Sequence, residues 1–159
     1  MSRLLDYIAE PETAVVFDVD GVLAIYDFGE LGHAAAVDGD WETYVREHDP
    51  YATAQPAPPI QRFVARKGCG RVFACSVGED YEAPGKVAFV RRCYGLPADH
   101  VRIVADRQAK VDYLREVAHA LRLPERRVAL VEDTVKTLDA VASQTDCVTV
   151  HVSSFLAYE

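Results

Sequence analysis

No stretch of this sequence is long and apolar enough to cross a bilayer, and its start carries Asp6 and Glu10 where a secretory leader would place a basic head and an apolar run. A membrane span and a leader are therefore not expected, and the sequence indicates a cytoplasmic protein. Basic charge is scarce as well: 17 Lys and Arg face 25 Asp and Glu, for a formal net charge of -8. That balance argues against a surface for a nucleic-acid duplex, which needs clustered cations to neutralise phosphates. The four cysteines, Cys69, Cys75, Cys93 and Cys147, contain no CxxC pair, so buried free thiols in a reducing compartment are expected rather than a zinc site or a disulfide framework. His33, His48, His100, His119 and His151 show no ligand spacing, no internal repeat is present, and the one biased tract is the proline-rich run at 55–59.

What is present is 159 residues, half of them hydrophobic, enough for one domain over 1–159 with a sizeable core. Short apolar runs rich in β-branched residues fall at 13–17, 71–75, 100–104, 127–131 and 147–152. Between them, 59–67, 84–94, 108–121 and 134–142 space their apolar residues three and four apart, as amphipathic helices require. Gly68 and Gly95 stand where two of these helices should stop, and Asp106 stands where another should be capped. Alternating strands and helices predict an α/β fold: a doubly wound, mostly parallel sheet with helices on both faces. The segment 24–58 breaks the rhythm. It is too long for an ordinary βα connection and predicts a small insertion or lid, with a capped short helix after Asp40. Its aromatic residues Tyr26, Phe28, Trp41, Tyr44 and Tyr51 suit either a small core of their own or a stack against a nucleobase.

The densest chemical signal is Val15-Val16-Phe17-Asp18-Val19-Asp20-Gly21-Val22, an apolar strand ending in two carboxylates one residue apart. Ligands of open parallel sheets bind beyond the carboxyl ends of the strands, so both acids arrive at the mouth. Side chains two apart on extended chain point the same way, and Gly21 lets the backbone turn sharply. Three later strand ends add to it. Ser76 and Val77 offer a hydroxyl and backbone amides to an anion, Lys110 lies in the first turn of a helix, and Glu132-Asp133 ends another strand with two acids that call for a compensating cation. Singly, each has a plainer explanation as a strand terminator, a loop or a solvated helix face.

In this order the residues resemble the four signature motifs of the haloacid dehalogenase-like superfamily, spread over Asp18 to Asp133. Lys86 with Phe89-Val90-Arg91-Arg92-Cys93-Tyr94-Gly95 is loosely similar to a helix of the 5'(3')-deoxyribonucleotidase branch. The resemblance implies a Rossmann-like core with a minimal cap and a phosphatase acting on a small phosphate monoester, with a nucleotide as one candidate. It implies Asp18 as the nucleophile that becomes an aspartyl-phosphate, Asp20 as general acid and base, and Ser76, Val77 and Lys110 as the phosphate grip. It implies Mg2+ held by the Asp18 carboxylate, the Asp20 carbonyl and Asp133, with Glu132 and Thr137 supporting the metal shell. Glu132 and Thr137 depart from that pattern, since the family more often has Asp or Gly at the first position and Asp or Asn at the second. With so small an insertion, the cleft should be covered by the substrate itself or by a second copy of the chain. Retention of Asp20 favours phosphoester hydrolysis over the dehalogenase or non-hydrolytic chemistry of members that lack it, and the small insertion argues against the phosphomutase or phosphotransferase relatives, which usually carry a sizeable separate cap. A receiver-type signalling domain would carry its acidic pair first, and a catalytically idle binding protein would have no need of the full set.

Overall fold

The computed structural model describes residues 3–25 and 40–158. In chain order its elements are α1 (Arg3–Ala9), β1 (Ala14–Phe17), β2 (Ala24–Ile25), α2 (Trp41–His48), α3 (Pro50–Thr53), β3 (Gln55–Pro56), α4 (Pro58–Lys67) and β4 (Val72–Val77). They continue with α5 (Ala83–Tyr94), β5 (Val101–Val104), α6 (Arg107–Ala120), β6 (Val128–Glu132), α7 (Val135–Gln144) and β7 (Val148–His151). Five strands form one parallel sheet in the order β5-β4-β1-β6-β7. β1 lies at its centre and is completely buried.

The two-residue alternation of a strand divides β1 between two cores. Val15 and Phe17 pack with Leu5 and Ile8 of α1, Phe63 of α4, Phe89 of α5 and Phe155 near the C-terminus. Ala14 and Val16 face Val111, Leu114 and Val117 of α6 and Val141 of α7. Helices thus cover both faces, as the alternation of patterns predicts, because the central strands β1, β4 and β6 carry apolar residues on both faces and leave neither fit for water.

Two strand ends differ from expectation in ways that shape the cleft, and α1, α3, β2 and β3 add to the expected elements. β4 runs on through Ser76 and Val77, which pair with Ile103 and Val104 of β5, so the hydroxyl sits on the last rungs of the sheet rather than in the loop beyond it. Likewise Glu132 closes β6, paired with His151. α1 was not expected at all, its apolar pattern amounting to little more than Leu5 and Ile8.

The inserted segment leaves and returns at one point. β2 pairs antiparallel with β3, joining Ala24 to Pro56 and Ile25 to Gln55. Beneath them the buried Tyr94 hydroxyl donates to the Leu23 carbonyl at 2.6 Å and accepts the Ala57 amide at 2.9 Å. Asp40 caps α2 through the Thr43 amide, as its sequence predicts. Tyr26, Phe28 and His33 lie outside the described residues. All four cysteines are free thiols, and burial pushes that of Cys75 up to about 12. Among the described residues no helix is long and apolar enough to cross a membrane.

Candidate active site

The carboxyl ends of β1, β4 and β6 open into a cleft of about 250 Å³ lined by Asp18, Asp20, Ser76, Val77, Arg107, Lys110, Glu132, Thr134 and Thr137. Asp18 follows β1 directly and is almost wholly buried. Lys110, equally buried one turn into α6, sends its ammonium to Asp18 Oδ1 at 2.8 Å and to Glu132 Oε2 at 2.7 Å. A lysine in the first turn of a helix gains nothing from the helix dipole, so these two carboxylates are what hold it there. The other Glu132 oxygen accepts the amides of Asp133 and Thr134, at 3.1 and 3.3 Å. Glu132 therefore ties the start of the α7 loop to the lysine.

Asp20 faces a second lysine. Lys86 of α5, 1% exposed, lies 2.7 Å from Asp20 Oδ2, 3.1 Å from Ser76 Oγ and 2.9 Å from the Val77 carbonyl. Ser76 donates to the same Asp20 oxygen at 3.2 Å, and the Tyr51 hydroxyl lies 3.1 Å from Asp20 Oδ1. Behind Lys86 stands Glu82, one helical turn earlier, with an oxygen 3.4 Å from the ammonium. Glu82 also accepts from Trp41 Nε1, from Tyr51 and from the Glu79 amide. Helices α2 and α3 of the inserted segment thereby reach the carboxylate of Asp20 through one buried network. Trp41 and Tyr44 stack at 5.6 Å, and Tyr44 and His48 at 4.6 Å, so part of the insertion's aromatic set packs on itself.

Three carboxylates crowd the other side. Asp18, Glu132 and Asp133 each place an oxygen within 4.8 Å of the others. Burial raises Asp18 above the ordinary carboxylate range, and the Lys110 ammonium pulls it part of the way back. Asp133 is raised by desolvation and by the neighbouring Glu132. Burial alone would lower Lys110, yet the charges of Asp18 and Glu132 raise it above its usual value. A crowded set of carboxylate oxygens with unfavourable charge suits a hard divalent cation such as Mg2+, which takes oxygen ligands. Gly21 shapes this wall. Its φ is +75°, and a Cβ there would overlap Asp133 Oδ2, so only glycine lets the turn pass.

The residues named from the sequence therefore meet. Asp18, Asp20, Ser76, Val77, Lys110 and Glu132 line one cleft, and Asp133 stands against Asp18 and Glu132. Thr137 is buried on the same cleft, outside the acidic trio, and its hydroxyl accepts Arg107 Nε at 3.2 Å. Sequence reasoning gave no role to Glu82 or Arg107, read Tyr51 only as a core or base-stacking aromatic, and left Lys86 without a partner. The only local signal for the first pair was the four-residue spacing of Glu82 and Lys86, which is also the spacing of an ordinary surface ion pair.

No protein-family model matches the sequence, and no curated protein matches it. Among solved structures, DsGPDH of Dunaliella salina resembles 92% of this chain with a TM-score of 0.58 at 21% identity. This chain spans 24% of that one, and the likeness is one of fold. A haloacid dehalogenase-like family hydrolase from Xanthomonas campestris resembles 82% of this chain and 77% of its own, at 14% identity and a TM-score of 0.46.

Proposed function

We propose that this chain is a Mg2+-dependent phosphatase of the haloacid dehalogenase-like superfamily that hydrolyses a small phosphate monoester. The observation that carries this reading is the meeting of Asp18, Lys110, Glu132 and Asp133, from three separate elements, with Asp20 and Ser76 on the facing wall. Phosphoryl transfer asks mainly for an in-line nucleophile and for charge neutralisation, and this cleft offers both.

An ionised Asp18 oxygen attacks phosphorus, the bond from phosphorus to the ester oxygen breaks, and Asp20 gives that oxygen its proton. Water then attacks the aspartyl-phosphate, Asp20 takes the water's proton, and inorganic phosphate leaves with the Asp18 carboxylate restored. Lys110 favours the ionised form of Asp18 against the cost of burial. Ser76 and Lys86 hold Asp20 over the cleft, and the Ser76 hydroxyl, the Val77 backbone and the Lys110 ammonium line the space a phosphate would take. Asp18, Asp133 and the Asp20 carbonyl would hold Mg2+, with Glu132 behind them engaged by Lys110. Bound there, the cation supplies charge neutralisation and polarises the phosphoryl group. The cleft volume matches a small ester better than one wholly enclosed nucleotide, whose base would extend beyond it.

The test is turnover of p-nitrophenyl phosphate with and without Mg2+, in the native protein and in Asp18→Asn. Metal-dependent release of phosphate that disappears in a folded Asp18→Asn supports the assignment. Turnover that survives the substitution refutes Asp18 as the nucleophile. A panel of nucleoside monophosphates and sugar phosphates then decides the ester.

A further inference from the structure

We propose that Arg107 forms a second anion subsite at the rim of the cleft, so that the preferred ester carries a further carboxylate or phosphate close to the one it loses. This rests on the phosphatase reading above and deepens it. Among the described residues, every other cation lining or backing the cleft is already matched. Lys110 is paired with Asp18 and Glu132, and Lys86 with Asp20 and Glu82. Arg107 makes no ion pair among the described residues, and its one hydrogen bond there goes from Nε to the neutral hydroxyl of Thr137.

That single contact has a specific consequence. A guanidinium carries five N–H donors in a planar fork, and pinning Nε leaves both Nη groups to meet an anion side by side. A hydroxyl orients the fork without neutralising it. An aspartate at 137 would do the opposite, closing an ion pair and removing the free charge. Thr137 is buried, so the anchor is fixed by packing, while Arg107 itself is exposed to the cleft mouth.

The helix sets the spacing. Arg107 opens α6 and Lys110 lies three residues later, so the two share a face about 4.5 Å apart along the axis. With the departing phosphate at the level of Lys110 and Ser76, a group bound by Arg107 sits about one turn further out. An ester such as 2-phosphoglycolate or ethylene glycol bisphosphate fits that separation, whereas ethyl phosphate leaves the fork empty.

Calorimetric titration of Asp18→Asn, which cannot form the covalent intermediate, tests the subsite with Mg2+ present. The three esters serve as ligands, the first two separating a carboxylate from a phosphate as the second anion. The expected result is binding about tenfold tighter for at least one doubly anionic ester than for ethyl phosphate, a preference that shrinks to within about twofold in Asp18→Asn/Arg107→Gln. Asp18→Asn/Thr137→Val, which frees the fork, should lose part of the preference. Equal affinity for all three esters overturns the subsite and leaves the phosphatase reading standing. So does a preference that Arg107→Gln does not change, or a loss shared equally by ethyl phosphate, which would assign Arg107 to the departing phosphate. Failure of every ester to bind a folded protein removes the phosphatase reading and the subsite together.

Discussion

Replacing Lys86 by methionine keeps the length of the side chain and removes the ammonium on which Asp20, Ser76 and Glu82 converge. Breaking a buried ion pair from one side typically costs about 3–5 kcal/mol, because a charge is left without a partner. Two features of this site reduce that figure. The Asp20 side chain is 37% exposed, so water takes over part of the lost interaction, and Glu82 keeps the donors from Trp41, Tyr51 and Glu79. A loss of about 2–3 kcal/mol is expected, read as a shift of the urea midpoint at constant m-value. Adding Glu82→Gln removes the stranded charge, so that change should cost about 1–2 kcal/mol less beside Lys86→Met than it does alone. Turnover of p-nitrophenyl phosphate should fall about 100-fold in Lys86→Met, because Asp20 loses its anchor. A coupling within about 0.5 kcal/mol of zero, with turnover intact, would show the buried ammonium to be incidental to both stability and site.

Further outcomes are expected from two substitutions and from a change of pH. Gly21→Ala strains a positive φ and displaces Asp133, so it should cost about 1–3 kcal/mol in urea and abolish the thermal response to Mg2+; a native response would mean that Asp133 does not face the cation. Tyr94→Phe removes the hydroxyl that clamps Leu23 to Ala57 and should cost about 1–3 kcal/mol, checked by the same unfolding curve together with faster proteolysis between β2 and β3. Because Asp18 and Asp133 are raised, the folded chain binds more protons than the unfolded one just above pH 3.8, and stability without metal should fall as pH rises through that window. Lys110, also raised, contributes stability that is complete below pH 10.5 and lost above it as the folded ammonium deprotonates. Mg2+ at 100 times its Kd should restore about 2.7 kcal/mol at pH 7 and much less at pH 4, and a gain independent of pH would place the cation elsewhere.

The sheet was legible because its central strands are buried on both faces, so runs such as Val15-Val16-Phe17 and Val128-Ala129-Leu130-Val131 are unbroken apolar stretches between helical patterns. The acids at their ends were legible for the same reason, since an abrupt charge after such a run has few structural uses. The strand ends were less so. Nothing local distinguishes Ser76 as a sheet residue from Ser76 as a loop residue, and only its pairing with Ile103 decides. The network behind Asp20 was not legible at all. Glu82 and Lys86 have the spacing of a surface pair, and it is the packing of α2 and α3 over them that buries the pair and turns it toward the cleft. Thr137 was legible as a residue of the cleft, whereas the Arg107 that its hydroxyl receives lies thirty residues away in sequence and had no local signal.

Charge at the site imposes an order on binding. Asp18, Asp20, Glu82, Glu132 and Asp133 bring five carboxylates to two buried lysines and one rim arginine, and all three cations lie within or beside the cleft. That balance repels a phosphate dianion, and the low dielectric of a half-enclosed cleft strengthens the repulsion. A divalent cation next to Asp18 and Asp133 removes most of it. The ester should therefore bind Asp18→Asn more weakly without Mg2+ than with it. The difference should narrow in Asp18→Asn/Asp133→Asn, where less negative charge remains to be offset. If the ester bound equally well with and without the cation in both variants, the carboxylates would not be facing it, and the convergence of Asp18, Glu132 and Asp133 would need a purely structural explanation.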